Sequence, residues 1–514
     1  GQLLGEHYFP KMNDAELNWR ASYAQAGRDA PYQRRINYED FQNGLGYQFQ
    51  FNRLGTANDV KFSQLDDESL DFGVDFIIPF DFGSRQAELK LGGAYLDKTR
   101  DTSQANFRYV GSLPAPLRES RIDTIFSDDV IAAGILQIDR QGTTGFPDIS
   151  SGGLETLAAY AGIDLEYNEF FRLAFGTRYE ESEQTTATSR SGVANSEFVF
   201  EPLKEDYILP SATATFTFAD NWQVRLAASQ TINRPQFREL TPSVFVNTDT
   251  DERFVGNPFL KNSKSTNLDA RIEYYFASNQ FITLGAFYKD LTDPIEEFTL
   301  PLGAEVINSF VNAPSAELFG IEIEFEKKFN LGDFGFFGDK WGGKDLVVRS
   351  NYTYADSTVS ADGHVLIVTP PAGNSTVFTP VGGVDGISAS GIYVDGRKLQ
   401  GQSDHLANLQ IGIEDYDKGY EATILVNYSS GRIRSVGGSA GRIIPDINEQ
   451  LPITMDFVFN YDFELRGGDY ELGFKFQNIL GDKYEATQTY DGNAVVIDDY
   501  DLGTTFSASL KRRF

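Results

Sequence analysis

The side chains that could perform chemistry are few and widely separated in this chain of 514 residues. The three histidines are His7, His364 and His405, and cysteine is absent. Three dispersed imidazoles argue against a metal site, so we predict no metal centre. Serine and threonine are abundant, but without a neighbouring histidine they form no nucleophile triad. We therefore expect a protein that is not an enzyme and needs no cofactor.

One segment has the composition of a ligand-binding loop. It lies between residues 231 and 267, and its candidate ligand-binding residues are Phe237, Phe245, Asp249, Asp251 and Arg253. Aromatic faces and charges together recognise polar solutes, so we predict that these five residues bind a ligand. The acidic residues around Glu252, like those at Asp498, Asp499 and Asp501, lack the regular spacing of a calcium loop. A solvated acidic loop is the simpler interpretation of both groups.

A second set of charged residues alternates with apolar residues along the predicted strands. Its members are Arg172, Arg225, Arg271, Glu273, Glu322, Glu324 and Arg349. Such charges would be costly against lipid and are tolerated in a wet or plugged lumen. We expect them to line the inside of a barrel, where they neutralise one another, contact a plug or line the path of a solute.

The elements that position these residues are long strands with a period of two. Residues 453–465 alternate apolar and polar side chains for thirteen positions, and a tight turn at 466–469 leads into a second alternating run. The pattern predicts a long antiparallel hairpin. At about 3.3 Å per residue and roughly 40° of tilt, such a strand rises about 33 Å, enough to cross a bilayer core of ~30 Å.

Similar hairpins recur along the chain. We predict them at 70–78 with 87–95, 157–167 with 171–179, 211–218 with 222–231, 268–276 with 281–289, 321–326 with 345–356, and 406–414 with 420–429. A first strand at 17–23 and a last one at 500–514 bring the total to about 16 membrane strands. We interpret residues 26–66 as a long connection whose residues 45–51 form a ribbon above the membrane.

The connections favour a membrane barrel over a soluble fold. Short turns and long loops alternate, as in outer-membrane barrels with short periplasmic turns and long outer loops. A soluble sandwich does not need this alternation. The sequence therefore predicts an all-β fold, an antiparallel transmembrane β-barrel. No apolar run reaches the length of a transmembrane helix, which agrees with that class.

The net charge limits the kind of partner. A formal charge of −30 argues against binding nucleic acid through a basic surface. The acidic residues either form a solvated surface or lie in outer loops that bind divalent cations or a cationic solute.

From residue 231 onward the chain resembles the TonB-dependent outer-membrane receptors. The segment Thr231–Leu240 contains an Arg-Pro pair after a strand, and Gly256-Asn257-Pro258-Phe259-Leu260-Lys261 follows it. Residues 287–296 and 477–484 resemble later motifs of the family, and Phe514 matches its terminal aromatic residue.

The resemblance implies a barrel of about 22 strands closed by an N-terminal plug. It implies energised uptake of a scarce nutrient, a carbohydrate or a siderophore, across the outer membrane of a Gram-negative bacterium. The implied partners are TonB, which binds through the plug, the barrel-assembly machinery, outer-membrane lipid and lipopolysaccharide, and a small-molecule or oligosaccharide ligand. Phe506, Leu510 and Phe514 would then form the assembly signal.

The chain departs from this family pattern in two respects. No plug precedes residue 17, and about 16 strands are predicted instead of about 22. An open sheet would leave unpaired edges in lipid, so we expect residues 1–514 to be the barrel part of a longer receptor that also has a plug and about six further strands. A closed barrel of about 16 strands, a passive porin, is the alternative.

Overall fold

Antiparallel β-structure dominates the computed structural model of the chain. It describes residues 1–40, 43–49, 58–83, 85–140, 146–191, 196–246, 252–302, 305–334, 341–369, 377–415, 417–438 and 444–513. A nineteen-stranded sheet runs through most of these ranges, with smaller sheets beside it.

Within the described ranges, seventeen strands of the main sheet follow one another as hydrogen-bonded antiparallel neighbours in chain order. They are β1 (Gln2–Phe9), β2 (Ala15–Arg35), β3 (Asp59–Phe82), β4 (Arg85–Gly111), β5 (Ile149–Asn168), β6 (Phe171–Ser189), β7 (Leu203–Ala219), β8 (Trp222–Asn233), β9 (Ser263–Ala277), β10 (Gln280–Thr292), β11 (Ser315–Asn330), β12 (Lys344–Ser360), β13 (His405–Asp415), β14 (Tyr420–Ser429), β15 (Thr454–Leu465), β16 (Gly468–Gln477) and β17 (Thr505–Arg513). The other two strands of the sheet, Leu136–Arg140 and Phe198–Val199, pair with β4 and β6.

The remaining strands and all the helices are short. Four smaller sheets lie in the described parts of the long connections: Tyr38–Asp40 with Tyr47–Phe49; Val244–Val246 with Arg253–Val255, Ile295–Leu302 and Glu305–Asn312; His364–Val365 with Ile387–Ser388; and Arg432–Ser435 with Ile447–Gln450, Lys483–Tyr490 and Asn493–Asp501. The α-helices are Ala115–Arg118, Ile122–Ile125, Asp128–Ala132 and Phe237–Leu240, and the 3₁₀ turns are Pro10–Met12, Leu331–Asp333, Gly383–Asp385 and Ala389–Gly391. None of the helices in the described part of the chain has the length and apolar character needed to cross a membrane.

The predicted hairpins are present, but one predicted connection is wrong. The described residues form seventeen successive strands where about 16 are predicted, and the additional strand is β1, which pairs with β2 along its whole length although its sequence lacks alternation. The predicted connection at 26–66 is too long, since β2 continues to Arg35 and β3 already begins at Asp59. A ribbon does occur between them, formed by Tyr38–Asp40 and Tyr47–Phe49.

Short turns join the strands at one end of the sheet and long connections join them at the other. We call these ends the turn rim and the loop rim. At the turn rim, Asn279 and Arg466 adopt positive φ values of 56° and 53°, and Gly467 follows at 73°. The loop rim consists of the described residues within the connections 36–58, 112–148, 190–202, 234–262, 293–314, 361–404, 430–453 and 478–504.

The buried apolar clusters lie at the loop rim. The largest includes Phe298, Val311 and Ile392, which come from two different connections and are fully buried. A second cluster packs Phe49 and Ile125 against the outer ends of the strands. Because burial of apolar area stabilises folded structure, these long connections have cores of their own.

The outer face of the main sheet is apolar and exposed. Its exposed side chains include Trp19, Phe72, Val74, Leu91, Leu157, Phe175, Phe216, Leu226, Leu268, Leu284, Ile321, Ile323, Ile411, Ile424 and Phe476. On β11 the apolar outward residues extend from Phe319 to Phe329, ten residues later, with Lys327 between them. With about 40° of tilt this distance corresponds to a band about 25 Å tall, the height that outer-membrane barrels present to lipid.

Aromatic residues border this band near the turn rim. Rings contact one another across neighbouring strands from Phe218 to Trp222 (6.0 Å) and from Trp222 to Tyr274 (4.5 Å). The ring of Phe276 on β9 also reaches past β10 to that of Phe325 on β11 (6.2 Å). Such girdles mark membrane–water interfaces.

Several strands extend past the apolar band at the loop rim. β3 and β4 have 24 and 27 residues, about twice what a membrane crossing needs. The outward positions just beyond the band are acidic: Glu68, Asp97, Glu155, Glu181, Glu183 and Asp206. Both faces of the strands are polar there, so the alternation that predicts a strand is lost.

The two faces of β11 and β12 give opposite stability predictions. Ile323 faces outward, opposite Tyr352, whereas Asn351 faces inward, opposite Glu324. We expect Ile323→Arg to cost about 2–4 kcal/mol of unfolding free energy in phospholipid vesicles, because it places a charge in lipid. Asn351→Arg should change stability by about 0.5 kcal/mol or less. Denaturant unfolding would measure both values, and equal costs would contradict the assignment of faces.

Candidate functional site

Most charged residues predicted for the lumen lie in ion pairs on the inner face. Arg172 pairs with Asp164 through two hydrogen bonds of 2.8 and 2.7 Å. Arg271 lies 3.3 Å from Glu273 and 3.0 Å from Glu324.

Other charged residues on the inner face of the sheet are also paired with groups of opposite charge. Arg225 lies 3.9 Å from Glu273, which is 2% exposed and also accepts a hydrogen bond of 2.6 Å from the Tyr275 hydroxyl. Arg349 pairs with Glu326 at 2.9 Å. Glu322 faces Gly285 of β10 across the strand pair.

A cavity of about 550 Å³ lies between the inner face of β2 to β5 and the connections at the loop rim. Its described lining contains four cationic side chains, Arg28, Lys61, Arg100 and Arg238, and one carboxyl group, Glu297. Four phenylalanines, Phe237, Phe245, Phe254 and Phe310, supply its aromatic surface. We call this space the basic cavity.

Three cations of the basic cavity lack a carboxylate partner. Among the described residues, Arg28, Lys61 and Arg238 form no ion pair, whereas Arg100 donates a hydrogen bond of 2.7 Å to Asp67. Burial lowers the pKa of Lys61, and the positive charge of Arg28 lowers it further. The cavity therefore has an excess of positive charge that an anion would neutralise.

Phe237 is held in the cavity by packing against β5 and by a hydrogen bond that caps its own helix. The backbone N–H of Gln236 donates to the Glu239 carboxylate at 2.8 Å, which caps the helix Phe237–Leu240. The ring packs on Gly152 of β5, where a Cβ atom would lie 2.6 Å from it. The Arg100 guanidinium lies 5.7 Å from the ring centre, a cation–π distance.

The Arg-Pro segment fastens the start of this connection to the wall. Arg234 forms an ion pair with Glu180 and donates a hydrogen bond of 3.1 Å to Ser182. The Gln184 side chain donates to the carbonyl oxygen of Pro235 at 2.9 Å. These contacts place the helix Phe237–Leu240 over the inner face of the sheet.

Gly256 and Asn257 fix the end of the same connection. The fully buried Asn257 side chain donates to the carbonyl oxygens of Phe310 (2.8 Å) and Leu366 (2.7 Å). A Cβ atom at Gly256 would lie 2.2 Å from the Thr241 carbonyl oxygen, so only glycine fits. These two motif residues thus position the site and do not line it.

The structure brings part of the predicted ligand-binding set together. Phe237 and Phe245 both line the basic cavity, and Phe245 stacks on Phe254 at 5.3 Å. Arg253 lies beside Phe254, and its charge contributes to the lowered pKa of Lys61. Asp249 and Asp251 lie outside the described residues.

The cationic residues of the cavity were not predicted. Arg28 and Lys61 fall in the segment interpreted as a connection, and Arg100 falls in a predicted loop. The available signal was their spacing, since Lys61, Ser63 and Leu65 occupy alternate positions on one face of β3.

The acidic groups at the loop rim bind an arginine. Glu252 lies 3.2 Å from Arg434, which also pairs with Asp498 and donates a hydrogen bond of 3.3 Å to the Tyr484 hydroxyl. Across the described ranges, no three histidine or carboxylate side chains are grouped to hold a metal ion.

Two of the three predicted assembly-signal residues are on the outer face of β17. Phe506 and Leu510 are 57% and 65% exposed, and the Phe506 ring lies 4.8 Å from that of Phe476. Phe514 lies outside the described residues.

Comparison with known proteins agrees with this architecture. The family model described as TonB dependent receptor-like, beta-barrel matches residues 7–479. The pesticin receptor of Yersinia enterocolitica is 25% identical over 212 residues, which are 40% of this chain and 28% of that protein.

Two solved structures show the same fold. The ferric-catecholate import receptor Fiu from Escherichia coli K12 aligns with a TM-score of 0.62 and 14% identity over 100% of this chain and 63% of its own. The siderophore receptor PiuA from Acinetobacter baumannii aligns with a TM-score of 0.57 and 12% identity over 97% of this chain and 62% of its own. The chain spans less than two thirds of the length of these relatives. Since the family model matches most of the chain, the protein belongs to the TonB-dependent receptor β-barrel family.

Proposed function

We propose that the chain forms the barrel of a TonB-dependent outer-membrane transporter, which captures a scarce nutrient as an anion in the basic cavity. The observation that supports this most directly is the absence of carboxylate partners for Arg28, Lys61 and Arg238 among the described residues. Elsewhere on the inner wall, arginines are neutralised by neighbouring carboxylates. The cavity departs from that pattern in a protein of net charge −30.

The chemistry of the cavity suits an anion with a flat apolar part. Guanidinium groups bind carboxylates and phenolates through charge-assisted hydrogen bonds with a planar geometry. The rings of Phe237 and Phe245 offer faces on which a flat group can stack. A volume of about 550 Å³ is typical of small-molecule sites.

These features favour an anionic siderophore over a neutral carbohydrate. The sequence left both substrates open, and the net charge also allowed a cationic solute in acidic loops. Cations around the cavity would attract ferric chelates with acidic ligands and would repel a cationic solute. An acidic oligosaccharide satisfies the same charge requirement.

The partners and location follow from the proposed role. The transporter lies in the outer membrane of a Gram-negative bacterium, in contact with lipid and lipopolysaccharide, and folds with the barrel-assembly machinery. TonB acts through a plug domain. Residues 1–514 then form the barrel part of a receptor of about 22 strands, and Phe506, Leu510 and Phe514 remain the proposed assembly signal.

Membership of a receptor family does not favour the porin alternative. Electrical conductance distinguishes a TonB-dependent receptor from a passive porin. Receptor purified from outer membranes should give almost no steady current in a planar lipid bilayer, because connections at the loop rim pack over the interior. A steady open conductance would support a passive porin.

Removing the unpaired charges should weaken anion binding. We expect Arg28→Gln and Arg238→Gln each to raise the Kd for a ferric tris-catecholate by about 10- to 100-fold, since hydrogen bonds to charged groups contribute about 1.5–3 kcal/mol. Tryptophan fluorescence quenching would measure the Kd.

The matched control is Lys204→Gln, which removes a cation on the outer face, where Lys204 pairs with Glu183 at 2.7 Å. It should bind as the unaltered protein does, and all variants should keep the heat-dependent gel mobility of a folded barrel. Equal weakening by the control would indicate a general charge effect and contradict a localised site.

A further inference from the structure

Glu297 is a carboxyl group placed among cations without an ion pair. It lies on the strand Ile295–Leu302 and lines the basic cavity with Arg28, Lys61 and Arg238. Its Oε2 atom accepts a hydrogen bond of 2.7 Å from the Gln400 side chain. Within the described residues it makes no contact of 4 Å or less with a cation. A group so placed either repels an anion or must lose its charge.

Charged groups on two neighbouring segments act on Glu297 in both directions. Glu252 acts on it from the segment before Arg253, and Glu239 acts from the helix Phe237–Leu240. Arg238 of that helix acts in the opposite sense, and Arg28, Lys61 and Arg100 on the wall line the same cavity.

Its neighbour Glu296 points away from the cavity and pairs with Arg397 at 2.8 Å. Burial, the largest influence, raises the pKa of Glu297 to about 7, whereas the hydrogen bond from Gln400 lowers it.

We propose that anion capture in the basic cavity is coupled to proton uptake at Glu297, which becomes neutral when the anion enters. One proton from solvent forms an O–H bond on the carboxylate, and the resulting hydroxyl donates a hydrogen bond to the anion. This inference rests on the proposed anion site and adds its regulation.

The direction of the pH effect follows from linkage. A bound anion adds negative charge beside Glu297 and stabilises its neutral form, so the carboxyl holds its proton more tightly in the complex. By reciprocity, protonation tightens anion binding. Affinity is therefore highest below about pH 7 and falls as the pH rises through the pKa of Glu297.

The contribution of Glu297 to folding stability also decreases as the pH rises. An unfolded glutamate titrates near pH 4.3, and Glu297 titrates at about 7 in the folded chain. Between these values the folded state binds more protons than the unfolded state, so this group's contribution to stability decreases as the pH rises across the window.

Lys61 is a second group that could take up a proton. Its pKa is lowered by burial and by Arg28, and a nearby anion would raise it again. Lys61→Arg removes this ambiguity, because a guanidinium stays charged at every relevant pH.

The test uses an anion whose own charge does not change with pH. Naphthalene disulfonate is such a probe and has a flat ring for the phenylalanine faces. Isothermal titration of the receptor in detergent, in two buffers with different ionisation enthalpies, gives the number of protons bound with each anion. At about pH 7.5 we expect an uptake approaching one proton, and above pH 7 a Kd that weakens up to about tenfold per pH unit.

Two variants, Glu297→Gln and Lys61→Arg, show which residue takes up the proton, and a third, Arg28→Gln, tests the anion site. Glu297→Gln should bind the probe without proton uptake and with an affinity that no longer depends on pH between about 6 and 8. Lys61→Arg should retain the uptake. Arg28→Gln should bind weakly at every pH.

The outcomes separate this inference from the proposed function. If the unaltered receptor binds the probe without taking up protons, or if Glu297→Gln still takes them up, proton coupling at Glu297 is wrong and the anion site stands. If loss of uptake occurs only in Lys61→Arg, the proton belongs to Lys61. If the receptor binds no anionic probe at any pH, the anion site itself is wrong.

Discussion

Backbone hydrogen bonding in a medium without water is the constraint on which this structure depends. Each strand from β2 to β16 has a hydrogen-bonded neighbour on both sides, so the N–H and C=O groups of the doubly paired segments are satisfied within the sheet. The apolar side chains can then face outward, as Leu226 and Ile323 do, and the polar ones inward. The usual arrangement of a globular protein is reversed, and buried apolar clusters are found instead among the connections at the loop rim.

This reversal makes the pairing of inner charges informative. Arg172, Arg271 and Arg349 each have a carboxylate within hydrogen-bond distance, so the wall carries little net charge along most of its length. In the basic cavity, cations approach one another closely enough for Arg28 to lower the pKa of Lys61. Cations placed this close together are unfavourable in the empty protein and become favourable when an anion is bound. This difference indicates that the ligand binds in the basic cavity.

Sequence reasoning located strands well where one face meets lipid. The strand expected at 453–465 is β15, Thr454–Leu465, and the pair expected at 406–414 and 420–429 is β13 with β14. It failed for β1, whose sequence lacks alternation, and for the outer halves of β2 and β3, where both faces are polar and the period of two disappears. The same loss explains why the sequence singles out Phe237 and Phe245 as candidates but not Arg28 and Lys61. The first pair stands out by composition in a loop, whereas the second is recognised only after a cross-strand register is known.

The alternation along each strand also has an evolutionary consequence. On β3, Lys61 belongs to the cavity while its neighbour Phe62 belongs to the outer surface. Selection for a new ligand can act on one set of positions while the adjacent set continues to satisfy the surroundings of the barrel.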